Sequence, residues 1–141
     1  MTQFLGKGGA HVELMGAEFI DFDPVSETIT MRFNAPDSFI TGRGGVQGGL
    51  VAGFLDEAMG WAHVQATEGA EAPLNLEIAM TLLKLIPPGP FMGKGRVIRR
   101  GRRAIFLEGE LWDTSWTTIY ARATSTAIPT PVPGRGSDGT A

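Results

Sequence analysis

The sequence predicts an α+β domain in which antiparallel strands surround one long helix. Three observations carry that expectation. Residues 49–66 form the single convincing helical stretch, and its apolar side chains cover nearly the whole circumference. The stretches on either side alternate apolar and polar residues, with tight turn signals such as Asp23-Pro24-Val25-Ser26 between them, which favours antiparallel pairing. The length, 141 residues, suits one domain with a real core. A lone helix that is apolar all round cannot be satisfied by a sheet with one of its faces in water. It calls for a curved sheet wrapped around it, a second subunit covering it, or both.

From Glu13 onward, ELMGAEFIDFD and SETITMRF read as two strands of a hairpin. In the second, Ile29, Met31 and Phe33 share one face, while Thr28, Thr30 and Arg32 share the other. A loop follows, in which PDSFI suits a single helical turn. The helix begins at Gly49 and stops near Ala66, with Thr67, Glu68 and Gly69 as its stop signal. Three extended stretches come next: LNLEIAMTLLKLI from Leu74 to Ile86, then GKGRVIRRGRR running into AIFLEGELWD, then TTIYARATSTAI after a DTSW turn. The predicted order is β-β-α-β-β-β. Residues 1–128 form the domain, and 129–141, with a Pro/Gly/Ser composition, form a flexible tail.

Composition narrows the function classes. The formal net charge is −3, so the overall field gives no reason to expect nucleic acid. Cysteine is absent, which removes disulfides, thiolate nucleophiles and cysteine-ligated metals, and fits a cytoplasmic protein. No apolar run reaches membrane-spanning length, and MTQFLGKGGAHVELMG has no apolar core of a signal peptide, so neither a membrane nor a leader is expected. His11 and His63, placed before the first strand and within the helix, offer no metal site. His11 has no visible partner, and His63 reads as a helix-end or interface residue. The glycine groups at 6–9 and 42–45 lack the flanking strand and crossover of a nucleotide fingerprint.

The chemistry concentrates in GGVQGGLVAGFLDEAMGWA. The free amides of a helix N-terminus favour developing negative charge. Gly48 and Gly49 let a substrate approach that backbone with no Cβ in the way. A carbonyl polarised there is ready for attack, and Asp56 is the candidate carboxylate, as general base or as nucleophile through a mixed anhydride. Gly48 and Asp56 stand eight positions apart, roughly 12 Å along a helix. One carbonyl cannot touch both within one chain, so joint action requires a second subunit. Glu57 lies roughly 100° further around the helix and reads as structural.

This stretch resembles the signature of hotdog-fold thioesterases of the phenylacetate-pathway type, in which His-Gly-Gly precedes the central helix and an acid follows nine residues after the His. Gln47 stands in the His place, Gly48 and Gly49 follow, and Asp56 falls at the acid position. RVIRRGRRAIFLEGELWD is similar to that family's later strands and their hairpin, and the resemblance spans roughly Ala10 to Ile128. It implies a curved antiparallel sheet wrapped around the helix, a homodimer or homotetramer, and hydrolysis of acyl-CoA thioesters without a cofactor. Gln47 departs from the pattern: it can hydrogen-bond a carbonyl or water but cannot titrate near neutrality. Thr41, where many relatives carry Asn, is a second departure. The resemblance also implies a polar residue on the strand after the helix that helps hold the lytic water, with Asn75, Glu77 and Thr81 as the candidates.

Six of the twelve cationic side chains fall between Lys94 and Arg103. Arg99, Arg100, Arg102 and Arg103 are candidates for binding the CoA phosphates, and Gly49 is a candidate substrate contact at the helix N-terminus. The same cluster also suits an exposed hairpin edge protected by charge. Strand alternation places Arg96 with Ile98 and Val97 with Arg99. Loss of the motif histidine leaves two other readings open: a non-catalytic acyl-CoA-binding domain, and, less favoured, a hydratase of the same fold.

Overall fold

The computed structural model describes residues 8–132. A short helix, α1 (Ala10–Leu14), precedes β1 (Glu18–Asp23) and β2 (Thr28–Asn34). A 3-10 turn at Asp37–Phe39 leads to the long helix α2 (Gly48–Ala66). Four strands follow: β3 (Glu71–Leu82), β4 (Pro90–Arg100), β5 (Ile105–Trp112) and β6 (Ile119–Pro131). They form one six-stranded sheet in the order β1-β2-β4-β5-β6-β3, every pairing antiparallel.

The expected hairpin is present, with Ile29, Met31 and Phe33 of β2 buried as their alternation requires. Its turn is held by Asp23, whose carboxylate accepts from Val25 N at 2.9 Å and Ser26 Oγ at 3.0 Å. Those bonds, the Val25 amide first, hold its carboxyl below the usual carboxylate range.

Four expectations are corrected. Residues 13 and 14 belong to α1 rather than to a strand, because Gly16, at φ 60, turns the chain before β1. Four strands follow α2 rather than three, since the stretch from Gly93 to Asp113 folds back on itself beyond Arg100. β3 starts at Glu71 and stops at Leu82; beyond it Leu83 N and Lys84 N both donate to Tyr120 O, which ends the ladder. Pro129 to Pro131, expected in the tail, extend β6 opposite Pro73 to Glu71. Proline fits there because this outer end of the sheet demands few amide donors. The remainder of the expected tail lies outside the described residues.

α2 packs against five strands, β2 to β6. Its approach is close because two strands present glycine to it. A Cβ on Gly95 would fall 1.9 Å from Ala58 O, and one on Gly109 would fall 2.9 Å from Met59 Cγ. Phe33, Phe54 and Phe91 fill the core beside this contact, with the Phe54 ring centroid 5.3 Å from Phe33 and 5.0 Å from Phe91 in edge-on geometry. The sheet-facing side of α2 is buried through Val51, Phe54, Leu55, Ala58, Met59 and Ala62. Its other side, with Ala52, Gly53, Asp56, Gly60 and Val64, is only half-buried. The all-round apolar pattern therefore describes a helix that the single chain covers on one side.

Candidate active site

The entry to α2 is a built turn. Ile40 and Val46 pair across it, and Gly44 reverses the chain at φ 88. Thr41 Oγ1 donates to Gly45 O at 3.2 Å and accepts from Arg43 N at 3.2 Å, so this departure from the resemblance serves the turn. Gln47 N donates to Phe39 O at 2.9 Å and fixes where the helix begins.

Gln47 is the N-cap. Its Oε1 accepts from Leu50 N at 2.9 Å, the role that shorter Ser, Asp or Asn side chains usually fill. Gly49 makes room for it: a Cβ there would stand 3.0 Å from Gln47 Oε1. The amides of Gly48 and Gly49 make no hydrogen bond among the described residues, so two helix N-terminal donors stay open.

Asp56 sits two turns further on, half-buried. Its Oδ1 accepts from Asn75 Nδ2 at 2.6 Å, and Asn75 Oδ1 accepts from Ser125 Oγ at 2.7 Å. The orientation of the amide follows from its partners, because a carboxylate only accepts. Ser125 is buried at 2% exposure, so β3 and β6 together brace the carboxylate. Asp56 Oδ2 makes no hydrogen bond among the described residues. Of the three strand candidates, Asn75 is the one brought to Asp56. A bulge between Asn75 and Glu77 breaks the alternation, and Glu77 instead accepts from Thr126 on the exposed face. Thr81 is exposed.

Asp56 and Asn75 line a cavity of ≈ 410 Å³, together with His11, Glu57, Trp61 and Pro73. Glu57 binds two neighbours there. Its Oε1 lies 2.8 Å from His11 Nε2, and its Oε2 accepts from Trp61 Nε1 at 2.7 Å. Its reading as structural thus acquires partners, and His11, expected to have none, is held by Glu57. No periodicity in the sequence signals that contact, because α1 has only five residues. His63 is a helix-end residue, but it is buried at 1% exposure inside the chain rather than presented at an interface. Its Nε2 lies 3.0 Å from Glu71 Oε1, and Nδ1 has no partner among the described residues. Burial pushes its pKa down, against the opposing effect of Glu71.

The basic cluster divides. Lys94 lies 4.8 Å over the Trp116 ring, Arg96 Nε donates to Glu108 at 2.6 Å, and Arg100 is paired with Glu27. Arg99, Arg102 and Arg103 are exposed and make no ion pair among the described residues. A bulge between Val97 and Arg99 also overturns the expected alternation: Val97 is buried, while Ile98 and Arg99 both face solvent. None of the arginines lines the Asp56 cavity. Among the described residues no cluster of His, Cys, Asp or Glu could hold a metal, and no helix is long and apolar enough to cross a membrane.

No protein-family model matches the sequence, and no curated protein matches it. Solved structures do match in three dimensions. A phenylacetic acid degradation-related protein of Ralstonia eutropha superposes with a TM-score of 0.80, over 90% of this chain and 96% of its own, at 24% identity. A thioesterase of Pseudomonas aeruginosa, solved as a glutamine-to-alanine variant, gives 0.78 over 94% and 95% at 18% identity. The fold is the hotdog fold. A third hotdog structure, a Streptococcus mutans protein bound to acetyl CoA, gives a TM-score of 0.71 over 82% of this chain and 89% of its own, at 17% identity. The expected fold class, one helix set against a single antiparallel hotdog sheet, agrees with these comparisons.

Proposed function

We propose that the chain is an acyl-CoA thioesterase, hydrolysing an acyl- or aryl-CoA thioester to the free acid and CoA. The observation that carries this reading is the braced carboxylate. Asp56 is half-buried on the central helix and lines a cavity of ≈ 410 Å³, with one oxygen fixed by Asn75 and the other making no hydrogen bond among the described residues. Burying a carboxylate costs several kcal/mol unless it is hydrogen-bonded, and a single amide donor with one free oxygen suits a group that reacts. The hotdog neighbours include thioesterases and one protein bound to acetyl CoA, which supports the same chemistry.

In this reading the thioester carbonyl is polarised by the open amides of Gly48 and Gly49, with the Gln47 side-chain amide as a further donor. Asp56 supplies the base or the nucleophile. The helix rise puts the two groups roughly 12 Å apart in one chain, so the working unit is a homodimer or homotetramer that pairs one protomer's helix N-terminus with its partner's Asp56. Two features favour such an assembly. Among the described residues β3 is a twelve-residue edge strand paired only to β6, and Leu74, Leu76 and Leu82 along it are at least half exposed. Arg99, Arg102 and Arg103, which make no ion pair among the described residues, are assigned to the CoA phosphates; Arg100 is already paired with Glu27.

Free thiol release from a panel of acyl-CoAs, wild type against Asp56→Ala, tests the reading. Release that disappears in the variant supports it. No release from any substrate, with CoA binding intact, would make the chain a binding domain instead.

A further inference from the structure

The chain carries Gln47 where the motif places histidine, yet the fold delivers a histidine to the Asp56 cavity from another element. His11 rides on α1 and lines the Asp56 cavity. Its Nε2 is 2.8 Å from Glu57 Oε1, and the second Glu57 oxygen is held by Trp61. A carboxylate only accepts, so in the neutral ring the proton sits on Nε2 and Nδ1 is left with its lone pair. Nδ1 makes no hydrogen bond among the described residues. From α2 the charged groups facing this cavity are Asp56 and Glu57; from β3 it is faced by Ala72, Pro73 and Asn75, none of them charged.

A carboxylate that orients a histidine is the standard means of making imidazole a base. Asp56 would have no use for a second base if it only deprotonated water. It would need one if it attacked the thioester itself, because an acylated Asp56 can no longer accept a proton. We propose that His11, oriented by Glu57, is the general base that hydrolyses an acyl intermediate on Asp56. The inference rests on the thioesterase reading above.

Asp56 Oδ2 forms a bond to the thioester carbonyl carbon, the C–S bond breaks, and CoA leaves as thiolate. Water then attacks the mixed anhydride while His11 Nδ1 takes one of its protons. The anhydride C–O bond breaks, Asp56 returns to carboxylate, and the free acid departs. The imidazolium returns its proton to the thiolate or to solvent. The net change is one water consumed, with one acid and one thiol formed. Glu57 is a positioning residue here.

The experiment is rapid-mixing thiol release with intact-protein mass spectrometry, using the acyl-CoA that the wild type hydrolyses best. The wild type is expected to turn over without a detectable adduct. His11→Gln is expected to release a burst of about one thiol per subunit, then to turn over at least about tenfold more slowly. It should carry an added acyl mass on the peptide containing Asp56. Glu57→Gln, which leaves His11 in place, should show the same adduct with a smaller loss. A His11→Gln protein that turns over at the wild-type rate overturns the inference alone. So does one that slows in both variants with neither burst nor adduct. Absence of thiol release from the wild type, with every acyl-CoA tried, overturns the thioesterase reading and this inference with it.

Discussion

Asn75 Nδ2 donates to Asp56 Oδ1 across 2.6 Å, and Ser125 Oγ, at 2.7 Å, sets the donor's orientation from behind. The helix carboxylate is therefore aimed by two strands, β3 through Asn75 and β6 through Ser125. Asp56→Asn keeps the shape and removes the charge, and thiol release should fall by about 10²–10⁴-fold. Asn75→Ala should cost about tenfold in kcat, the equivalent of one hydrogen bond to a charged group. Ser125→Ala should cost less. Steady-state kinetics on the three variants gives the ranking, and an Asn75→Ala enzyme at full rate would remove the brace from the mechanism.

Gln47 has two separable atoms. Its Oε1 caps Leu50 N, and its Nε2, the proposed substrate donor, makes no hydrogen bond among the described residues. Gln47→Glu keeps the capping oxygen and loses the donor, so thermal stability should hold while turnover falls. Gln47→Ala loses both, and should also lower stability by about 1 kcal/mol, or roughly 2–4 °C in Tm. Calorimetry beside thiol release distinguishes the two losses.

Gly95 is where the sheet and the helix touch most closely. Alanine there would press its Cβ to within 1.9 Å of Ala58 O, a backbone atom that cannot rotate away. Gly95→Ala should destabilise the fold by about 3 kcal/mol or more. Denaturant unfolding of the variant, or its failure to accumulate as soluble protein, reads this directly.

His63 links stability to pH. Burial disfavours its imidazolium, so its folded pKa lies below the unfolded reference of 6.5. Glu71 and Glu27 oppose that shift and Arg100 adds to it. A depressed histidine pKa means that the unfolded chain binds more protons as acid is added. The stability that neutral His63 provides is complete above about pH 6.5 and is lost as pH falls toward the folded pKa. Thermal melts between pH 7.5 and about pH 5 should drop more steeply for the wild type than for His63→Gln, which keeps a donor for Glu71. Parallel slopes would contradict the assignment.

Much of this architecture is legible in the residues. The helix from Gly49 to Ala66 announces itself by apolar side chains on all sides, and β2 by strict alternation through Ile29, Met31 and Phe33. Asp56 stands out as a charge in an apolar helix. Its partner does not, because the bulge at Leu76 puts Asn75 and Glu77 on different faces where simple alternation would unite them. The bulge at Ile98 hides the facing of Arg99 in the same way. His11 is beyond reach for another reason: its contact with Glu57 joins residues 46 positions apart through a helix of one turn. The closure of glycine strands on the helix, at Gly95 and Gly109, is likewise a tertiary fact that no local pattern contains.

If one protomer's helix N-terminus and its partner's Asp56 make one site, as proposed, mixing two differently broken subunits should restore it. Gly48→Pro removes the first amide donor at a helix position that accepts proline, and Gln47, at ψ 134, already has the extended backbone that precedes proline. Asp56→Ala removes the carboxylate. Each variant alone should release almost no thiol. Mixed one to one and allowed to exchange, half of the dimers would hold one intact site and one doubly broken site, restoring about a quarter of wild-type activity. Mixtures that stay as inactive as their parents, with heterodimers shown to form, would contradict a shared site.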